Sequence, residues 1–133
     1  MKTIWKITPQ DIIDANQKII AQKLDPYDVF CVRRDVLNDV FEMFDKLKTS
    51  DDLLKKGAYL MAHIAWSQPF CAGNKRTAIL ITANFFHHNE VDLDIPEDGK
   101  ELRKLLYEIQ NDRSGLNEAV MERIIFYISK VII

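Results

Sequence analysis

The segment Gln68-Pro69-Phe70-Cys71-Ala72-Gly73-Asn74-Lys75-Arg76-Thr77-Ala78 decides how the rest of the chain is read. It sits between two stretches of helical period. Upstream, Ser50-Asp51-Asp52 offers a helix cap, and Leu53, Leu54, Tyr59, Leu60 and Ile64 follow at helical spacing. Pro69 disfavours helix at Gln68, so this helix should end near Trp66. Downstream, Ile79, Leu80, Ala83 and Phe86 belong to a helix from about Asn74 to Asn89 that is apolar on most faces. Such a helix is expected to be central and buried. Ser67 to Gly73 is then a short loop feeding the start of a core helix.

A loop of this kind brings unpaired backbone N–H groups and the positive end of a helix dipole to one point. Gly73 allows a ligand to approach the backbone closely. Lys75 and Arg76 place two cations in the first turn, where they oppose the dipole. Stability alone favours Asp or Glu there. Gly73, Asn74, Lys75 and Arg76 together make sense if an anion neutralises them, and phosphate is the natural candidate. The alternative is that Lys75 and Arg76 are solvated or paired with nearby carboxylates.

Outward from the loop, the pattern stays helical. Thr8-Pro9-Gln10-Asp11 reads as a helix start, with Thr8 capping, Pro9 in the first turn and Asp11 completing the box. Ile12, Ile13, Ile19 and Ile20 give that helix an apolar face up to Leu24, and Asp25-Pro26 breaks it. From Asp35, Val36, Leu37, Val40, Phe41, Phe44 and Leu47 keep helical period. Asn89 is a C-terminal stop, and residues 91–95 form an extended connector. Pro96 is expected to open a helix carrying Leu102, Leu105, Leu106 and Ile109. Ser114 is a candidate cap for a last helix with Val120, Ile124, Ile125 and Ile128 inward. Residues 2–7 alternate weakly, as a short strand does. The fold class is all-α, a bundle of about six helices with almost no sheet.

The chain has 133 residues, 47% of them hydrophobic, and a net charge of −2. That fits one domain, residues 1–133, with no bulk attraction to nucleic acid or an anionic membrane. No apolar run reaches membrane-spanning length and the first residues lack a signal core, which points to the cytoplasm. Cys31 and Cys71 are too few for a disulfide framework and are not spaced as metal ligands. Cys31 reads as packing. Cys71 reads as a small loop residue, with a reactive thiol beside Lys75 and Arg76 as the lesser alternative.

The central string resembles the Fic/Doc signature, His-Pro-Phe-x-Asp/Glu-Gly-Asn-Gly/Lys-Arg. Pro69, Phe70, Gly73, Asn74, Lys75 and Arg76 match it, and Thr77 and Ala78 extend the match toward the Doc branch. Ile7-Thr8-Pro9 before an Ile-rich helix, and His88 to Leu93 after the core helix, are also similar to that family. The resemblance implies a Fic/Doc-like helical domain. It implies descent from enzymes that move a phosphoryl or nucleotidyl group from ATP or another nucleoside triphosphate to a protein hydroxyl. It also implies a target protein or an antitoxin-type partner. On that resemblance, Asn74, Lys75 and Arg76 contact the phosphates or orient the loop.

Two positions depart from the signature. The family's histidine, which takes the hydroxyl proton, falls on Gln68, the catalytic position, and the acidic residue that helps hold Mg²⁺ falls on Ala72. Gln68 cannot accept a proton near neutral pH and Ala72 offers no metal ligand. The second arginine of Fic-type motifs falls at Ile79, and the polar residue usual near Leu80 in the Doc branch is missing. Activity by the family mechanism is therefore expected to be weak or absent. His63 reads as a partly buried helix histidine, not a relocated base. His87 and His88 lie roughly 20 Å from Asn74 along a helix at 1.5 Å per residue. Trp66 and Phe70 are expected to anchor the loop in the core, with contact to an adenine ring as the alternative. Ser114 and Glu118 resemble the start of a family inhibitory helix, but Ala119 departs from it. Three readings remain: altered chemistry, a non-catalytic phosphate or nucleotide binder, and a protein-interaction module, for example from a toxin–antitoxin pair.

Overall fold

The computed structural model describes residues 7–47, 52–96, 99–112, 116 and 118–133. Among them are six helices: α1 (Pro9–Ala21), α2 (Arg34–Lys46), α3 (Leu53–Ser67), α4 (Asn74–His88), α5 (Lys100–Gln110) and α6 (Glu118–Val131). Ser50, Asp51, Ser114 and all of the expected strand except Ile7 lie outside the described residues. No named strand occurs among the described residues. Two isolated antiparallel bridges join Val32 to Phe70 and Leu93 to Ile132.

Local chemistry sets the helix ends. Asp11 N–H donates to Thr8 Oγ1 at 3.2 Å and Thr8 N–H donates to Asp11 Oδ2 at 2.8 Å, a complete capping box, with Pro9 in the first turn. α1 ends at Ala21, short of Leu24, because Lys23 takes a left-handed φ of 51°. Asp52 Oδ1 accepts from Lys55 N–H at 3.1 Å and caps α3. Asn89 caps α4 and donates from Nδ2 to Phe85 O at 2.8 Å. Pro96 does not open a helix. Gly99, with φ 57°, is the N-cap of α5, which begins at Lys100.

The expected central helix, α4, is buried or half-buried except at His87 and His88, and it shares the middle of the bundle with α3. α3 is the axis and packs against α2, α4, α5 and α6, whereas α4 packs against α1, α3 and α5. On α4 the inward residues are Thr77, Ala78, Ile81, Thr82, Phe85 and Phe86. Ile79, Leu80 and Ala83 are half-buried and line an open groove with Ile19 and Ile95. An apolar pattern on most faces does not say which face meets the axis. Gly57 lets α3 and α4 close together: a Cβ there would lie 2.3 Å from Phe86 Cε2. The elements meet in one hydrophobic cluster that includes Ile12, Leu37, Phe44, Ile64, Phe86 and Ile128.

Candidate functional site

The loop after α3 is held by its own residues. Gln68 is the C-cap of α3, and its φ of 50° and ψ of 66° place it in the left-handed region. That conformation is uncommon for a residue with a side chain and turns the chain sharply. Phe70 then enters the core, 1% exposed. Asn74 reaches back over the loop. Its Oδ1 accepts from Phe70 N–H at 3.0 Å and its Nδ2 donates to Phe70 O at 2.8 Å. Gly73, φ 75°, forms the N-cap of α4 without a side-chain cap. From α1, buried Asn16 donates to Ala72 O at 2.9 Å and Thr77 Oγ1 at 3.0 Å.

This geometry leaves a turn of free amides. Thr77 N–H donates to Gly73 O at 2.8 Å and starts the α4 ladder. The N–H groups of Asn74, Lys75 and Arg76 precede that ladder and have no partner within the helix. They carry the positive end of the dipole, and no first-turn carboxylate offsets it.

The two cations leave the turn in different directions. Lys75 Nζ donates to Gln110 Oε1 on α5 and lies 5.6 Å from the ring centre of Tyr107. Burial holds its pKa below the ordinary lysine value. Arg76 makes a two-pronged contact with Asp28: Nη2 to Oδ1 at 2.6 Å and Nη1 to Oδ2 at 3.0 Å. The Asp28 side chain is 3% exposed and that of Arg76 is 30% exposed. The hydrogen bond from Arg76 is the largest cause holding the Asp28 carboxyl below its usual range, while partial loss of solvent works against it.

The connector between α1 and α2 lies along the loop. Val32 pairs with Phe70 in an antiparallel bridge, Arg33 N–H donates to Pro69 O at 2.7 Å, and Cys71 N–H donates to Cys31 O at 3.2 Å. The Cys31 and Cys71 sulfurs are bonded, with Cα atoms 5.3 Å apart. This corrects the reading of Cys31 as packing and overturns the lesser alternative of a reactive Cys71 thiol. No free thiol remains.

The other singled-out residues separate. Gln68 and Ala72 are half-buried on the loop with Gly73, Asn74, Lys75 and Arg76. His63 is buried in α3, and its Nδ1 has no hydrogen-bond partner among the described residues. Burial lowers its pKa, against a smaller opposing pull from Asp39 on α2. Trp66 is not a core anchor. It is 38% exposed and its Nε1 donates to Asp112 O at 3.3 Å. The indole N–H finds its partner only at the rim, which keeps the ring there. His87 Nδ1 lies 2.7 Å from Asp92 Oδ1 on the exposed end of α4.

The donor set does not suit Mg²⁺. Ala72 supplies no carboxylate, Asn74 Oδ1 already accepts from Phe70, and Asp28 is held by Arg76. Among the described residues no group of three or more His, Cys, Asp or Glu side chains is arranged to hold a metal.

Sequence reading missed Asp28, Asn16 and Gln110 as neighbours of the loop. Asn16 carried a signal, a polar residue on the Ile12-Ile13-Ile19 face of α1. Asp28 and Gln110 carried none, because each reaches the loop only through the packing of distant segments.

No helix among the described residues is long and apolar enough to cross a membrane. No curated protein matches the chain. The model of the Fic/DOC family matches residues 6–86, well over half of the chain.

Proposed function

The chain belongs to the Fic/DOC family, and from that premise we propose that it binds the phosphates of a nucleoside triphosphate at the N-terminus of α4 and transfers them poorly or not at all. The observation that supports this most is the row of N–H groups at Asn74, Lys75 and Arg76, capped by left-handed Gly73 and free of any first-turn carboxylate. Backbone amides and a helix dipole recognise an anion without help from a metal. Asn74 shapes this cradle through Phe70 and contributes its amide.

Transfer needs more than a cradle. The hydroxyl of a target protein must lose a proton, and Gln68 has no group that accepts one near neutral pH. Base catalysis contributes about 10²–10⁴-fold. The metal ligand is also missing at Ala72, so charge developing on the transferred group is stabilised only by amides, Lys75 and Arg76. Family membership is consistent with a transferase-like ancestry, and these two side chains limit what remains of it.

A second reading, a module that only engages a protein partner, draws on the internal pairing of both cations, Lys75 with Gln110 and Arg76 with Asp28. Titration with phosphate, ATP and GTP, followed by amide NMR, separates the two. The proposed function expects shifts centred on Gly73 to Arg76 under reducing conditions, with or without Mg²⁺. Absence of shifts at millimolar ligand would leave the interaction module.

A further inference from the structure

We propose that the connector from Gln22 to Arg33 is a redox-operated strap: the Cys31–Cys71 disulfide holds Asp28 on Arg76, and thiol reduction releases both and opens the phosphate cradle. This rests on the proposed phosphate site and concerns its regulation.

Val32 is the one strap residue packed against the hydrophobic core among the described residues. Residues 21–27, 29 and 30 are exposed, and 28, 31 and 32 are only half-buried. Leu24, Tyr27, Val29 and Phe30 face solvent. Hydrophobic burial therefore does little to hold it. Its described attachments to the loop and α4 are the Val32–Phe70 bridge with its two neighbouring backbone hydrogen bonds, the disulfide, and the Asp28–Arg76 contact. Segments with few buried apolar contacts open at low free-energy cost. A covalent link at one end changes that, because the free strap samples many positions and the tethered one few.

Asp28, midway along the strap, is placed against the cradle. Arg76 Nη2 lies beside Gly73, since a Cβ on Gly73 would be 3.5 Å from it. The same Nη2 donates to Asp28 Oδ1 at 2.6 Å. Asp28 thus supplies the cradle's arginine with an internal carboxylate where a phosphate oxygen would compete. A tethered competitor acts at a high effective concentration, and a released one does not.

The chemistry balances with a thiol as reductant. A thiolate RS⁻ attacks one sulfur of the disulfide, forms a mixed disulfide with that cysteine and expels the other as thiolate. A second thiol displaces the first cysteine, giving RSSR. Two electrons pass to the protein and two protons complete the Cys31 and Cys71 thiols. Cys71 is exposed, so the attack has access. In a reducing compartment, disulfides that form are usually transient and sensory.

The test compares oxidised and dithiothreitol-treated protein in two readouts. Calorimetry with ATP is expected to show at least tenfold tighter binding after reduction. Asp28→Asn is expected to recover much of that gain while still oxidised. The Cys31→Ser/Cys71→Ser double variant is expected to bind like reduced protein and to ignore dithiothreitol. Hydrogen exchange reads the strap without ligand: the Arg33 and Cys71 amides should exchange at least tenfold faster after reduction. Equal ATP affinity in oxidised, reduced and Asp28→Asn protein would overturn the strap and leave the phosphate site standing. Faster exchange with no ATP binding in any form would remove the phosphate site, and this proposal with it. Unchanged exchange after reduction would show that the disulfide does not hold the strap.

Discussion

Asn74 holds both backbone polar groups of Phe70, accepting from its N–H at 3.0 Å and donating to its carbonyl at 2.8 Å. Both groups are buried, so neither has water as a substitute. Asn74→Asp keeps the shape but replaces the donor with an acceptor facing the Phe70 carbonyl. The expected loss is about 1–3 kcal/mol of stability. Urea unfolding checks it, and phosphate binding should weaken in parallel because the loop loses its form. A loss of phosphate affinity with unchanged stability would mean that Asn74 acts as a direct ligand.

The Asp28–Arg76 pair makes a pH prediction. Arg76 holds the folded Asp28 pKa below its ordinary 3.8, so the folded state binds fewer protons than the unfolded chain in that range. The pair's contribution is complete above about pH 4 and declines as pH falls through the folded pKa. Thermal melts of wild type and Asp28→Asn should differ most above pH 4 and converge at lower pH.

His63 behaves in the same direction for another reason. Burial lowers its pKa below 6.5, so the fold favours the neutral ring, and acidification below 6.5 draws protons toward the unfolded state. Stability associated with His63 is present above that pH and falls as pH drops through the folded pKa. His63→Leu removes a buried unpaired Nδ1 and should raise stability at pH 5 by about 1 kcal/mol. Melting curves between pH 5 and 8 should be flatter in the variant.

Gly57→Ala tests the axis of the fold. The new Cβ would sit 2.3 Å from Phe86 Cε2 and 2.4 Å from Phe86 Cζ, so the buried ring or the helix pair must shift. The gain in helix propensity from Gly to Ala is about 1 kcal/mol. Overpacking costs about 1–3 kcal/mol and should prevail. Denaturant unfolding measures the net loss, and a more stable variant would show that Phe86 can move aside.

Restoring catalysis should require both missing groups. Gln68→His returns a proton acceptor and Ala72→Asp a carboxylate, each on half-buried loop positions. Either change alone should recover little AMP or phosphate transfer. The two together should exceed the product of the single effects, because base and metal ligand act as a unit. Mass spectrometry of autotransfer with ATP and Mg²⁺ provides the readout. Robust transfer by the unaltered protein would mean that amides, Lys75 and Arg76 suffice.

The helices were legible because their signals are local. Thr8 and Asp11 are three residues apart and cap each other; Leu37, Val40 and Phe44 share one face by backbone period. The loop was legible too, since the helix end forced before Pro69 and the helix start at Asn74 depend on neighbours in the chain. Local reasoning was coarser on α4, where it found a buried helix but did not separate fully buried Ile81 and Phe85 from half-buried Ile79, Leu80 and Ala83. It failed at Trp66, whose N–H partner lies 46 residues away.

By itself, the sequence determined an all-α fold class, a glycine-led loop at the start of α4, and the absence of a base at Gln68 and a carboxylate at Ala72. Those are properties of side-chain chemistry and of contacts between near neighbours. Only the tertiary structure decided which groups meet this loop and the first turn of α4. Arg76 finds Asp28 across 48 residues, Lys75 finds Gln110 across 35, and Cys71 finds Cys31 across 40. Periodicity along the chain carries no information about such pairs. They exist because α1, α4 and α5 pack around one core and the connector between α1 and α2 is thereby laid along the loop.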